Sequence, residues 1–254
     1  MLLKNKVAVI YGAGGSIGSA VAQAFARDGA KVFLAGRTQS KLEAVAEAIS
    51  AAGGAAETAQ VDALDPQAIE KHLAAIVNKA GQIDISFNAI WIRGDLQGTP
   101  LIQMQPEDFT LPVLTGVKTH FLTATAAARH MVQRKSGVIL TLSSSSSVLS
   151  GRDRRFHLTG GFSTACAAIE ALTRSLAGEL GPQGIRVVCL RPDALPETWS
   201  AGAENVKKYM EDGTALGRLP TLGEVANAAV FMASDLASAM TGAVANLTCG
   251  SVMD

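Results

Sequence analysis

Short apolar runs alternate along the chain with longer stretches in which apolar residues recur at helical spacing. The short runs are rich in valine, isoleucine and leucine and predict strands, whereas the amphipathic stretches predict helices. The predicted strands are 6–10, 32–35, 57–61, 83–88, 137–142, 186–190 and 244–247. The predicted helices are 17–28, 40–51, 66–80, 106–134, 162–180 and 222–234.

Several of the strand runs are almost wholly apolar, which is typical of a parallel sheet that helices cover on both faces. Strict alternation of strand and helix therefore predicts an α/β fold, a doubly wound sheet of seven parallel strands. The 254 residues include 48% apolar and 17% charged residues, enough for one large core. No repeat or linker interrupts the pattern, so we expect a single domain over 1–254.

A glycine-rich turn follows the first predicted strand, in the sequence YGAGGSIGSAVAQAFARDGA. Such a turn lets the backbone approach a pyrophosphate, and the N-terminus of the next helix supplies N–H donors. Its position between a strand and a helix near the N-terminus strengthens the signal beyond the glycines alone. The turn predicts a dinucleotide site.

The second predicted strand ends in Gly36 and Arg37. A site selective for NAD usually has Asp or Glu here, which would repel a 2′-phosphate, whereas a guanidinium would bind one. We therefore expect NADP(H), the alternative being that Arg37 is a solvated loop residue. Asp62, after the third strand, could accept a hydrogen bond from the adenine amino group.

The charge and the cysteine content limit which kinds of partner and which cellular compartment we expect. The 22 basic and 22 acidic residues cancel and no basic stripe is present, so nucleic acid is not an expected partner. No stretch suits a signal peptide or a membrane span, and three widely spaced cysteines fit a reducing compartment. We expect a cytoplasmic protein that acts on a small molecule. The histidines lack metal-ligand spacing, so we expect no metal, and each histidine at the surface or a helix end.

The whole chain resembles the short-chain dehydrogenase/reductase family, near its 3-oxoacyl-carrier-protein reductase type. The family's first motif, Thr-Gly-x-x-x-Gly-x-Gly, corresponds to Tyr11, Gly12, Ser16 and Gly18, with Ile17 in its usual place. The resemblance implies a Rossmann-type fold in which Gly12, Ser16, Ile17 and Gly18 bind the cofactor.

Two further segments match the family with substitutions. The segment DISFNAIW keeps Asp84 and Asn88 but has Trp91 where the family has a glycine close to the cofactor. The Pro-Gly segment beside the nicotinamide keeps Pro192 and replaces its glycine by Asp193. The resemblance implies that Asn88 and Pro192 contact the cofactor and that Trp91 reshapes the substrate pocket.

The residues that perform the family's reaction are mostly replaced. That reaction moves a hydride between nicotinamide and a carbonyl; a tyrosine supplies the proton, and a lysine four positions later lowers the tyrosine pKa and holds the ribose. Here these positions hold Phe162 and Cys166, the relay asparagine is Gly116, and only the substrate-binding serine remains, as Ser144. Neither tyrosine of the chain precedes a lysine by four positions, so no shift of the alignment restores the pair.

Candidate replacements lie in the loop 151–161 and beyond. His157 titrates near neutral pH and could donate the proton, or could be a solvated loop residue. Cys166 could have a lowered pKa at a helix start, although we favour an apolar residue filling the lysine space. Tyr209 lies in the expected substrate lid, and with Trp91, Phe162 and Cys166 completes the expected substrate pocket. Three arginines could bind an acidic substrate or be solvated: Arg152, Arg154 and Arg155.

Three functions are compatible with these residues. The first, which we favour, is an NADP(H)-dependent reductase with non-standard proton delivery, acting on an iminium, a conjugated alkene or a substrate served by His157 or water. The second is a non-redox lyase, isomerase or cyclase on the same scaffold. The third is a non-catalytic NADP(H)-binding or interaction subunit. In this family the fourth and fifth helices usually form a four-helix interface, so we expect a homo-oligomer, a tetramer or a dimer.

Overall fold

The computed structural model describes residues 1–90, 92–149, 153, 157–199 and 204–253. In this part of the chain, seven parallel strands form one sheet in the order β3-β2-β1-β4-β5-β6-β7. The strands are β1 (Val7–Tyr11), β2 (Lys31–Gly36), β3 (Ala55–Gln60), β4 (Ile85–Asn88), β5 (Gly137–Leu142), β6 (Ile185–Pro192) and β7 (Val244–Leu247). The predicted α/β fold, a Rossmann-type doubly wound seven-stranded parallel sheet, is confirmed.

The α-helices of the described residues include the six that hydrophobic periodicity predicts and one more. They are α1 (Ser16–Arg27), α2 (Gln39–Ala51), α3 (Pro66–Ala80), α4 (Pro106–Arg134), α5 (Gly161–Leu180), α6 (Glu204–Asp212) and α7 (Leu222–Ala233). The additional helix, α6, contains no buried residue. It has nine residues, and its three apolar side chains, Val206, Tyr209 and Met210, span too short a stretch for periodicity to indicate a helix.

The alternation of side chains along β1 explains why helices are needed on both faces of the sheet. Ala8 and Ile10 belong to a core with α1, α2 and α7. Val9 and Tyr11 point to the opposite face and join a core with α3, α4 and α5. Apolar residues at every position of the strand are therefore buried, as the unbroken runs predicted.

Asp84 fixes the amino end of the sheet, opposite the edge where sites lie in this fold. Its carboxylate accepts hydrogen bonds from the Val7 backbone N–H at 2.8 Å, from Gln82 Nε2 at 2.7 Å and from Arg134 Nη1 at 3.1 Å. These bonds join β1, β4 and the last turn of α4. Asp84 thus stabilises the scaffold and lies away from the reaction space.

Candidate active site

The glycine-rich turn is shaped by a close approach between the loops after β1 and β4. Gly12 has φ +78°, and a Cβ placed on it would lie 2.6 Å from the Ala89 carbonyl oxygen. Gly15 begins α1 with no side-chain cap, so the first N–H groups of the helix remain available to an anion. Gly18, in the first turn, is packed against the Gly12 backbone and has no room for a side chain. These features fit the pyrophosphate of a dinucleotide.

Two basic residues follow β2 beside this turn. Arg37 is exposed, and its backbone carbonyl accepts a 2.9 Å hydrogen bond from Gln60 Nε2. Lys41, in the first turns of α2, lies against the glycine-rich turn, since a Cβ on Gly14 would lie 2.9 Å from the Lys41 Cβ. The sequence indicated Arg37 as a cofactor residue, whereas the position of Lys41 beside the turn is seen only in the folded structure.

Asp62 and Asn88 also lie at the carboxyl ends of their strands. Asp62 is exposed and accepts a 2.9 Å hydrogen bond from the Leu64 N–H. Asn88 is buried; its Nδ2 donates to Thr123 Oγ1 at 3.0 Å, and its Oδ1 accepts from the Ile90 N–H at 3.0 Å. The Asn88 side chain therefore holds the loop after β4 in place.

A cavity of about 1010 Å³ runs from the start of α1 to the carboxyl ends of β5 and β6. Eight of the predicted site residues line it together: Ser16, Ile17, Ser144, His157, Phe162, Cys166, Pro192 and Tyr209. Gly12, Gly18, Arg37, Asp62 and Asn88 lie outside its lining. Trp91 and the three loop arginines, Arg152, Arg154 and Arg155, lie outside the described residues.

The serine run after β5 supports two carboxylates. Ser143 and Ser147 donate to Glu170 Oε1 at 2.8 and 2.7 Å, and Arg191 holds the same carboxylate from Nε at 2.9 Å. Burial alone would raise the pKa of Glu170, but the hydrogen bonds from Arg191, Ser147 and Ser143 outweigh it and lower that pKa. Ser144 Oγ is 3.4 Å from Ser146 Oγ at the cavity wall.

Asp193 forms the second of these carboxylate centres and lines the cavity next to Pro192. It is 7% exposed. Its carboxylate accepts hydrogen bonds from Ser145 Oγ at 2.9 Å, from the Ala194 N–H at 2.7 Å and from Ser251 Oγ. Where the family has a glycine, this chain therefore has an acidic side chain that three hydrogen bonds hold at the cavity wall.

Phe162 and Cys166 lie on one face of α5, as the four-residue spacing predicted. Cys166 is fully buried in an apolar cluster with Ile92, Ile169 and Cys189, and Phe162 packs against that cluster. Burial raises the pKa of the Cys166 thiol to about 12. A thiol that keeps its proton at neutral pH is a poor nucleophile. This favours the interpretation that Cys166 is an apolar residue in the volume that the family's lysine side chain would occupy.

His157 and Tyr209 meet at the lid side of the cavity. Their ring centroids are 6.3 Å apart with an interplanar angle of 50°. Tyr209 belongs to α6, so the helix that the sequence did not reveal brings this side chain to the cavity. His157 and Tyr209 are therefore neighbours at the position expected for a lid.

Gly116 stands in α4 at the position of the family's relay asparagine, and His120 lies one turn further along the same helix. His120 Nδ1 lies 2.8 Å from the Gly116 carbonyl oxygen, and the Leu142 N–H donates to His120 Nε2 at 3.3 Å. The expectation that each histidine lies at the surface or a helix end is wrong for His120, which is 1% exposed in the middle of the helix. Burial lowers the pKa of His120 to about 4, so the imidazole is neutral and joins α4 to β5.

Comparison with known proteins assigns this arrangement to a family. A family profile described as Enoyl-(Acyl carrier protein) reductase matches residues 12–251. A 3alpha-hydroxysteroid dehydrogenase of Mediterraneibacter gnavus is 34% identical over 250 residues, covering 96% of each chain. An L-rhamnose 1-dehydrogenase (NAD(P)(+)) of Azotobacter vinelandii is 32% identical over 252 residues, covering 96% of this chain and 95% of that one.

A solved structure agrees with these relatives. A short-chain type dehydrogenase/reductase from Mycobacterium marinum superposes with a TM-score of 0.87 at 31% identity, covering 99% of this chain and 97% of the other. The chain belongs to the short-chain dehydrogenase/reductase family, whose members are oxidoreductases that bind a nicotinamide cofactor and act on small molecules.

Neither a membrane-spanning helix nor a metal site is found in the described part of the chain. No helix in that part of the chain has the length and apolarity to cross a bilayer. No grouping of His, Cys, Asp and Glu there could hold a metal ion.

Proposed function

We propose that this protein is an NADPH-dependent reductase that transfers hydride without the family's tyrosine and lysine. The observation that carries the proposal is the continuous cavity, which joins the open N-terminus of α1 to Ser144 and Pro192. Bound there, the nicotinamide would supply a hydride. Ser16, Ile17 and Pro192 would line the cofactor, and Ser144 would orient the substrate.

The preference for NADP(H) rests on charge at the end of β2. Arg37 and Lys41 are exposed near the glycine-rich turn, and both would attract a 2′-phosphate. Asp62 would contact the adenine, and Asn88 would act indirectly by holding the loop at Ala89. Gly12 and Gly18 would shape the pyrophosphate turn.

His157 would donate the proton where a substrate requires one. Phe162 has no acidic hydrogen, and burial raises the pKa of Cys166 to about 12. An imidazole can act as a general acid, and His157 lies on the cavity wall beside Tyr209.

Fluorescence titration with NADPH and NADH tests the cofactor proposal. We expect tighter binding of NADPH, and for Arg37→Glu a loss of about ten- to hundredfold in NADPH affinity, the effect of a charge-assisted contact turned repulsive. Lys71→Glu, at an exposed position on α3, is the matched control and should bind as the wild type does. Absence of binding of either nucleotide at millimolar concentration would exclude the reductase. Product formed without a change in nicotinamide absorbance would instead favour a non-redox enzyme.

We also propose a cytoplasmic homo-oligomer, a tetramer or a dimer. The three free cysteines support a reducing compartment. On α4, Leu114 is 64% and Phe121 49% exposed, and large exposed apolar side chains on one helix suit a subunit interface. Light scattering should give a multimer for the wild type and a smaller species for Phe121→Glu. A monomeric wild type would contradict the proposal.

A further inference from the structure

The charged side chains on the described cavity wall are mostly acidic. Asp193 and Asp212 place carboxylates on it in addition to Asp153, which already has a partner, and no lysine or arginine lines it among the described residues. The lysine position holds Cys166, whose side chain lies in an apolar cluster. The wall of the described cavity is therefore acidic.

Asp193 is the most constrained of these carboxylates. Its oxygens accept hydrogen bonds from Ser145, Ser251 and the Ala194 backbone N–H. The three donors hold the carboxylate in place next to Pro192. A negative charge fixed in a buried wall acts more strongly on a ligand than an exposed one.

Aromatic side chains complete the same wall. Phe162, Trp199 and Tyr209 line the cavity, as do the apolar side chains of Ile92, Leu195 and Met210. The face of an aromatic ring attracts a cation. Carboxylates and aromatic faces both favour a positively charged group carried on an apolar frame, and they do so independently.

This wall is unsuited to the family's ordinary carbonyl substrate. Hydride addition to a ketone leaves an alkoxide, which needs a proton donor or a nearby positive charge. Phe162 and Cys166 provide neither of the groups that the family uses, which leaves His157 alone to donate a proton, and the carboxylates would repel the alkoxide. Reduction of a conjugated alkene encounters the same difficulty, because hydride addition leaves an enolate.

We infer that the substrate is an iminium cation. This inference rests on the proposed function, since NADPH must supply the hydride. The iminium carbon accepts the hydride, the C=N π pair becomes the lone pair of a neutral amine nitrogen, and the nicotinamide is left oxidised. No proton enters or leaves, so the step does not need the missing tyrosine. No negative charge develops on the substrate beside the carboxylates.

Three measurements on the full-length protein test the inference. The substrate probe is an N-methyl cyclic iminium salt, which is permanently charged, and the comparison is the cyclic ketone of the same ring size. Turnover is followed by loss of NADPH absorbance. Binding of the saturated N-methyl cyclic ammonium ion to the protein with NADPH is measured by calorimetry, which does not depend on catalysis. NADPH affinity is titrated separately for every variant.

We expect the iminium to be reduced much faster than the ketone, whose reduction would depend on His157 for a proton. Asp193→Asn keeps the shape and one acceptor oxygen and should weaken binding of the ammonium ion by about tenfold or more, the order expected for loss of a buried opposite charge. Asp212→Asn removes a more exposed charge and leaves the hydrogen bonds of Asp193 intact. It should weaken binding of the ammonium ion as well, but by less. Asp235→Asn makes the same change outside the cavity, where the aspartate is 89% exposed, and should leave binding unchanged.

The outcomes separate the two proposals. If NADPH binds and the ketone is reduced while the iminium is not, the iminium inference is overturned and the reductase proposal stands. Binding of the ammonium ion that is equal in wild type, Asp193→Asn and Asp212→Asn also overturns the inference. If NADPH does not bind to the wild type, both proposals fail.

Discussion

The buried pair Glu170 and Arg191 should dominate the stability of the region behind the cavity. Each residue is 4% exposed, and the Glu170 carboxylate accepts four hydrogen bonds, two from serines and two from Arg191. Glu170→Gln would leave the guanidinium buried without its counter-charge. Breaking a buried pair in this way costs about 3–5 kcal/mol.

Urea denaturation at neutral pH measures this loss in the free energy of unfolding. Glu179→Gln, at an exposed position on the same helix, is the matched control and should change that free energy by less than about 0.5 kcal/mol. A double variant, Glu170→Leu with Arg191→Met, should lose less than the sum of the two single changes, because it leaves no unpaired charge. If Glu170→Gln loses under about 1 kcal/mol, the pair behaves like a surface ion pair and the reasoning is refuted.

The same pair predicts how stability depends on pH. Hydrogen bonds hold the folded-state pKa of Glu170 below its ordinary value of 4.5. The contribution of Glu170 is therefore complete above the pKa of the unfolded state and is lost as pH falls through the lower folded-state pKa. Denaturation of the wild type across the acid range should show this loss, and Glu170→Gln should lack that component. Equal acid profiles for the two proteins would contradict the assignment.

Three further changes have definite expectations. Tyr11→Phe removes a buried hydroxyl that has no hydrogen-bond partner among the described residues, so the free energy of unfolding should stay the same or rise by up to about 1 kcal/mol. A measured loss of stability would reveal a partner. Gly12→Ala should abolish NADPH binding and lower the melting temperature, because it adds a Cβ at φ +78° against the loop after β4; normal binding would refute the described turn. Iodoacetamide at pH 8, followed by mass spectrometry, should modify the partly exposed Cys249 before the buried Cys166 and Cys189, and early modification of Cys166 would contradict its burial.

The sequence predicted the strands and six of the helices to within two residues at each end. It could do so because periodicity reports which side chains are buried, and these elements bury a full face. The helix α6 has nine residues and only three apolar side chains, so its pattern was too short to identify. That gap also hid the neighbour of His157, since Tyr209 reaches the cavity from α6.

The site was predictable where it depends on local sequence and was missed where distant residues meet. The glycine turn could be found from its spacing, whereas Ser144 and the replaced pair at Phe162 and Cys166 were identified from the resemblance to the family. The pairing of Glu170 with Arg191 could not, because it joins a helix to a strand. A glutamate on the apolar face of a helix and an arginine in an otherwise apolar strand were the available signals, since buried charges need partners.

The run of five serines creates an ambiguity that only its partners resolve. In an alignment of sequences, a gap can be placed at several positions within a run of identical residues at the same score. The serine proposed to orient the substrate can therefore be misplaced by one or two positions. Ser143 and Ser147 are fixed by Glu170, and Ser145 by Asp193, while Ser144 hydrogen-bonds to Ser146. Among relatives with similar runs, the equivalent of Ser144 is therefore best identified by counting from the serines that hold these two carboxylates.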